Sequence, residues 1–182
     1  MERNHPVVLV GPMAAGKSAV GRTLARRTGA RFIDTDRVII ERYGSISEIF
    51  AQHGEEGFRG LEVEVVRTAL VPGVVVSLGG GAVLHPQTQA LLADAVVVFL
   101  DTDLATVLPR ITADSGRPLL AGRPAERWQE LYDMRRPVYA ALASVVVDTC
   151  GLTVRQITDA VLRALPTDPA RPVTASRDDQ PT

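Results

Sequence analysis

The residues best equipped for chemistry are Gly11-Pro-Met-Ala-Ala-Gly16-Lys17-Ser18. This octet satisfies G-x-x-x-x-G-K-[ST], and it lies after the apolar run Val7–Val10 and before a stretch of helical period, as a phosphate loop must. Such a loop turns backbone N–H groups toward an anion at the positive end of the next helix. Lys17 then reaches the outer phosphates, and the Ser18 hydroxyl is placed to ligate Mg²⁺. Composition singles out the same position: of the 20 basic residues, Lys17 is the only lysine and the rest are arginine. A compact ammonium is wanted there in place of a planar fork. Ala14 and Ala15 stand where many such loops carry another glycine, so a left-handed backbone at either is expected to be costly.

A second group, Phe32-Ile-Asp34-Thr-Asp36, closes the next apolar run with two carboxylates. At the carboxyl edge of a parallel sheet, carboxylates lie where such sheets bind ligands. Asp34 comes near the metal, directly or through a water, if the second strand lies beside the first. Asp36, farther out, is placed to take a proton from an attacking hydroxyl and hold that oxygen in line with the γ-phosphate. Either residue alone reads equally well as the cap of a following helix. Paired beyond a phosphate loop, they favour chemistry. A Ras-type switch would need N-K-x-D, and the only asparagine is Asn4, while the D-x-x-G at Asp148-Thr-Cys-Gly151 lies on the last strand and reads as coincidence.

Positioning these groups takes alternating elements. Pro6–Val10, Arg31–Asp34, Val74–Leu78, Ala95–Leu100 and Val145–Asp148 read as strands. Lys17–Thr28, Glu55–Val71, Pro86–Ala93, Asp103–Ile111, Ala125–Tyr139 and Thr153–Leu165 read as helices. Apolar strands without alternation, separated by helices, predict an α/β class with a parallel sheet covered on both faces. Thr112–Pro124 holds two Gly, two Pro and two Arg between helices and reads as a mobile lid. The stretch 166–182 is Pro-rich and polar and is expected to be a disordered tail beyond a single domain over 1–165.

Composition excludes several partners. With 182 residues, 46% of them hydrophobic, one core suffices without disulfide or structural metal. A net charge of −1 and 4% aromatics argue against a nucleic-acid binder, which would use a basic face or stacking platform. The lone Cys150 fits a reducing compartment. The longest apolar run, Ala95–Leu100, is far short of the ~20 residues a membrane span needs, and no basic n-region with a cleavage site precedes Val7. A soluble cytoplasmic protein without membrane partners is expected, acting as a monomer.

Six motifs in order carry a resemblance across residues 6–165. They are the loop Gly11–Ser18, Asp34-Thr-Asp36, Phe58-Arg59-x-x-Glu62, Ser77-Leu-Gly79-Gly80-Gly81-Ala, Arg117-Pro-Leu-Leu and Arg135-x-Pro-x-Tyr139. In these the chain resembles the shikimate kinases, of the nucleoside-monophosphate-kinase-like branch of P-loop proteins. The resemblance implies a five-stranded parallel sheet of order 2-3-1-4-5 and transfer of phosphate from ATP to the 3-hydroxyl of shikimate. The products would be ADP and shikimate 3-phosphate, on the route to chorismate and the aromatic amino acids.

For single residues, the resemblance implies ATP contacts from Ala14, Ala15, Gly16, Lys17, Ser18, Ala19 and the lid residue Arg117. It implies shikimate contacts from Asp36, Arg59, Gly80 and Arg135, and Mg²⁺ held by Ser18 and Asp34 with Ser77 nearby. Lys17, Asp36 and Arg117 would be catalytic. Ala19 departs from the threonine usual in these kinases, and the segment after Asp148 assigns no adenine contact.

The residue types suit that substrate. Shikimate is a small cyclic triol with a carboxylate, and the guanidinium pair Arg59 and Arg135 can grip it with paired, charge-assisted bonds. Gly79–Gly81 lets main chain approach a ring, or simply makes a tight turn. Glu62 can orient Arg59 from the same helix face, or form only an exposed ion pair. Phe50 and Phe58 can wall the ring or fill the core. Arg110 and Arg123 flank the lid and could touch adenine or phosphate, Arg123 reading rather as solvated surface. A gluconate-type kinase and a regulatory ATP-binding module are the competing readings.

Overall fold

Valine-rich runs make the strands of this computed structural model, which describes residues 5–113 and 122–166. β1 (Val7–Val10), β2 (Arg31–Asp34), β3 (Val74–Ser77), β4 (Val96–Asp101) and β5 (Val145–Asp148) form one parallel sheet of order β2-β3-β1-β4-β5. Every residue of β1 and β3 is buried. Strand period sorts them: Val7 and Leu9 join one core cluster with Val20, Leu24 and Val161, whereas Val8 and Val10 join another with Val66, Val83 and Tyr139. Helices on both faces account for the unbroken apolar strands.

α1 (Lys17–Thr28) and α7 (Val154–Ala164) cover one face. α3 (Ile46–Ala69) and α6 (Pro124–Leu142) cover the other. α2 (Thr35–Tyr43) and α4 (Pro86–Leu91) pack on α3, and α5 (Leu104–Ala113) packs on α6, with short 3₁₀ turns at Ala82–Leu84 and Leu92–Asp94.

The strands fall within one residue of the expected bounds. Two helical stretches were not expected: α2, and the first half of α3 before a break at Gly54, where φ is 67° and ψ is −175°. Glycines at 44 and 54 interrupt the period, but Ser45 and Glu48 form a reciprocal capping box whose S-x-x-E spacing was an available signal. α6 also runs on to Leu142, carrying Pro137 inside it. The inner part of the expected lid, 114–121, and the expected tail from 167 lie outside the described residues. No helix among the described residues is long and apolar enough to cross a membrane.

Candidate active site

β1 delivers the chain to Gly11, whose φ is 141°. A Cβ there would stand 2.5 Å from the Leu100 carbonyl oxygen, so only glycine lets the loop pass the end of β4. Gly16, with φ 91°, opens α1 without a side-chain cap and without an acid in the first turn. By contrast α2, α3 and α7 are capped by Asp34, Ser45 and Thr153. The N–H groups of α1 are thus left to an anion. Lys17 Nζ folds over the loop and donates to the carbonyls of Gly11 and Pro12, each at 2.9 Å.

Of the two alanines where a left-handed backbone would be costly, Ala14 adopts it: it is the only described non-glycine residue with positive φ, at 66°. Two side chains brace it from outside. Arg110 Nη1 donates to the Ala14 carbonyl at 2.8 Å, and Trp128 Nε1 to the Met13 carbonyl at 2.9 Å. Ala15 is buried behind them, and Ala19 lies in the first turn, its carbonyl accepting from the Thr23 hydroxyl. Residues 14–19 therefore sit together on the loop and helix start.

Ser18 Oγ donates to Asp34 Oδ2 at 2.5 Å, while Asp34 Oδ1 accepts from the Arg37 N–H at 3.3 Å. The capping reading of Asp34 holds, with its other carboxylate oxygen on Ser18. The condition that β2 adjoin β1 does not: β3 lies between them, with Asp34 in register with the buried Ser77. Ser18 closes the gap from α1. Among the described residues no group of three or more His, Cys, Asp or Glu could hold a metal. A hydroxyl and one carboxylate fit Mg²⁺, a hard cation that keeps waters and phosphate oxygens around it rather than an all-protein cage.

The glycine triplet defines the other half of the crevice. A Cβ on Gly79 would stand 2.5 Å from Asp36 Oδ1 and 2.8 Å from Glu62 Oε1. On Gly80 it would stand 3.6 Å from both the Gly11 carbonyl and the Tyr139 hydroxyl, and 3.7 Å from Arg135 Nη1. On Gly81 it would stand 2.6 Å from both terminal nitrogens of Arg59. Three consecutive backbone positions therefore bring Asp36, Arg135 and Arg59 together, with Gly80 backing onto the phosphate loop.

Electrostatics within this group are strongly coupled. Burial raises the pKa of Asp36 above the ordinary carboxylate value; Lys17 opposes the shift, Asp34 adds to it and Arg59 opposes it again. Arg59 pairs with Glu62, 2% exposed, and with Glu55 at 3.1 Å. Burial works against the Arg59 cation, but Glu62 and Glu55 together outweigh it and the pKa rises. Burial pushes Glu62 up to about 7 despite the neighbouring Arg59. Glu62 is thus a buried partner of Arg59 and not an exposed one. Arg135 is 7% exposed, and its Nε, buried, has no hydrogen-bond partner among the described residues.

Phe58 is core, tilted against Phe50 with centroids 4.8 Å apart beside Ile39 and Ile49; the Arg59 guanidinium lies 5.5 Å over its ring. Arg123 is surface, paired with Glu126 and 70% exposed. Arg117 lies outside the described residues. Sequence reading missed Trp128 and Tyr132 and gave Tyr139 no role. Their spacing with Arg135, at positions 128, 132, 135 and 139, was the signal, since it places all four on one helix face.

With this geometry in place, the family model for shikimate kinase matches residues 13–166. A shikimate kinase of Streptomyces coelicolor is 47% identical over 161 residues, covering 87% of this chain and 94% of the relative. One of Thermobifida fusca is 45% identical over 162 residues, covering 87% and 94%. Among solved structures, shikimate kinase from Acinetobacter baumannii in complex with shikimate matches with a TM-score of 0.82 at 33% identity, covering 87% of this chain and 91% of that one.

Proposed function

Since the chain belongs to the shikimate kinase family, we propose a division of work among its residues for phosphorylating shikimate with ATP. The observation that carries it is the glycine triplet, whose three positions face Asp36, Arg135 and Arg59 in turn while Gly80 backs onto the phosphate loop. A donor and an acceptor site share one rim.

On the donor side, the N–H groups of 14–19 cradle the ATP phosphates, and Lys17 swings from the loop carbonyls to the outer phosphate oxygens. Mg²⁺ would be held by Ser18 and Asp34, and when bound it neutralises charge on the phosphate oxygens. Arg117 is assigned to the nucleotide by the family pattern.

On the acceptor side, Arg59 and Arg135 hold the shikimate carboxylate. The Nε of Arg135, buried and without a partner among the described residues, supports this assignment, since a buried donor without a partner costs ~1–3 kcal/mol until a guest satisfies it. The Gly80 main chain approaches the ring. Asp36 takes the proton of the 3-hydroxyl as that oxygen bonds to the γ-phosphorus and the bond to the β,γ-bridging oxygen breaks, releasing ADP. Its raised pKa makes it a stronger proton acceptor than an exposed aspartate. The enzyme is placed in the cytoplasm as a monomer.

A coupled ADP-release assay with shikimate, gluconate and a nucleoside monophosphate tests the reading. Saturable turnover with shikimate alone is expected. Turnover with gluconate but not with shikimate would overturn it.

A further inference from the structure

Helix α6 presents Trp128, Tyr132, Arg135 and Tyr139 along a single face. Pro12 and Met13 of the phosphate loop meet this face across a shared crevice. Trp128 is 2% exposed and donates from Nε1 to the Met13 carbonyl at 2.9 Å. Tyr132 stacks on it with centroids 5.0 Å apart and planes 11° off parallel, and its hydroxyl donates to Asp101 at the end of β4 at 2.7 Å. Arg136 doubles that anchor with a 2.9 Å bond to the other Asp101 oxygen. Three turns along from Trp128, Tyr139 is fully buried against Phe99 and donates its hydroxyl to the Gly80 carbonyl.

The two carbonyls are not equivalent in what they control. A peptide unit is planar, so holding the Met13 oxygen fixes the direction of the Ala14 N–H, and holding the Gly80 oxygen fixes that of the Gly81 N–H. The first belongs to the strained turn of the phosphate loop, the second to the triplet facing Arg59. We infer that Trp128 and Tyr139 are positioning residues with separate duties: Trp128 sets the phosphate loop for ATP, and Tyr139 sets the glycine triplet for the acceptor. α6 is the bar that fixes both, with Arg135 between them. The assignment of a substrate to each end rests on the functional reading given above.

Steady-state kinetics of Trp128→Phe and Tyr139→Phe separate the two duties. Each variant keeps an aromatic ring and deletes one donor, leaving a carbonyl unpaired, an effect on the order of tenfold. Trp128→Phe is expected to raise KM for ATP by about that factor with KM for shikimate within about twofold, and Tyr139→Phe to do the reverse. A general packing role would move both constants together, and that result, or no movement in either, overturns the inference.

The unmodified chain supplies a second measurement that needs neither folding of a variant nor turnover. Trp128 is its single tryptophan, so emission reports on the Met13 contact directly. Mg²⁺ with ADP should change it, and shikimate alone should not; the opposite order contradicts the assignment. Absence of turnover in the wild type would count against the functional reading, while the fluorescence response still decides the role of Trp128.

Discussion

Glu62 and Arg59 share an ion pair, yet burial bears on them unequally. The carboxyl is the more enclosed partner, and its pKa stands at about 7 against 4.5 for an ordinary glutamate. The folded state therefore binds this proton more tightly than the unfolded chain does. Glu62 stabilises the fold least when ionised, so its contribution is favourable below pH 4.5 and is lost as pH rises toward 7. At ~1.4 kcal/mol per pKa unit, the difference amounts to a few kcal/mol. Denaturant unfolding of wild type and Glu62→Gln between pH 4.5 and 8 should show the wild type losing stability relative to the variant across that window. A gap that stays constant, or widens in favour of the wild type, would contradict the assignment. None of this was legible in the sequence, where Arg59-x-x-Glu62 reads equally as a solvated pair; only the depth of the second residue distinguishes the two.

Elements place backbone as well as side chains, and the two loops of the site show how. The triplet after β3 has no room for a Cβ at Gly81, where one would meet both terminal nitrogens of Arg59. Gly81→Ala should displace the guanidinium, raising KM for shikimate tenfold or more with KM for ATP changed little. Equal changes in both constants would place Arg59 elsewhere. In the phosphate loop, Ala14 carries a left-handed conformation that costs roughly 1–2 kcal/mol for an L-residue. Ala14→Gly relieves it but adds freedom to the unfolded chain, at about 0.4–1 kcal/mol. The expected net gain is about 1 kcal/mol or less by urea unfolding, and a clear loss would mean that the alanine methyl, packed with Val107 and Trp128, matters more than the strain. The sequence already marked Ala14 and Ala15 as costly places for a left-handed backbone, because spacing within the motif locates the turn, without choosing between them. It did not show the braces from Arg110 and Trp128, which come from helices about a hundred residues away.

Across the whole molecule, the sheet order decides which loops meet. β1 and β3 are central neighbours, and their carboxyl ends carry the phosphate loop and the glycine triplet. Alternating strand and helix patterns sufficed to read the α/β class and the strand positions, since valine runs and glycine-bounded helices are local signals. Adjacency of strands is not local: β3 between β2 and β1 keeps Asp34 within reach of Ser18 only because α1 spans the gap. α2 and the first half of α3 were hidden by glycine interruptions. α2 carries Asp36 to the rim, where it meets Arg59 from the part of α3 beyond Gly54 across the glycine triplet.

The claim on which the account turns is that a proton acceptor on α2 faces the phosphate loop across a shared guest. Rapid-quench measurement of phosphoryl transfer from Mg²⁺-ATP to shikimate, at saturating concentrations of both, compares Asp36→Asn with wild type. Removing a general base should slow transfer by ~10²–10⁴-fold. Nucleotide affinity should change by no more than a few-fold. A transfer rate in the variant within about threefold of wild type would contradict the account.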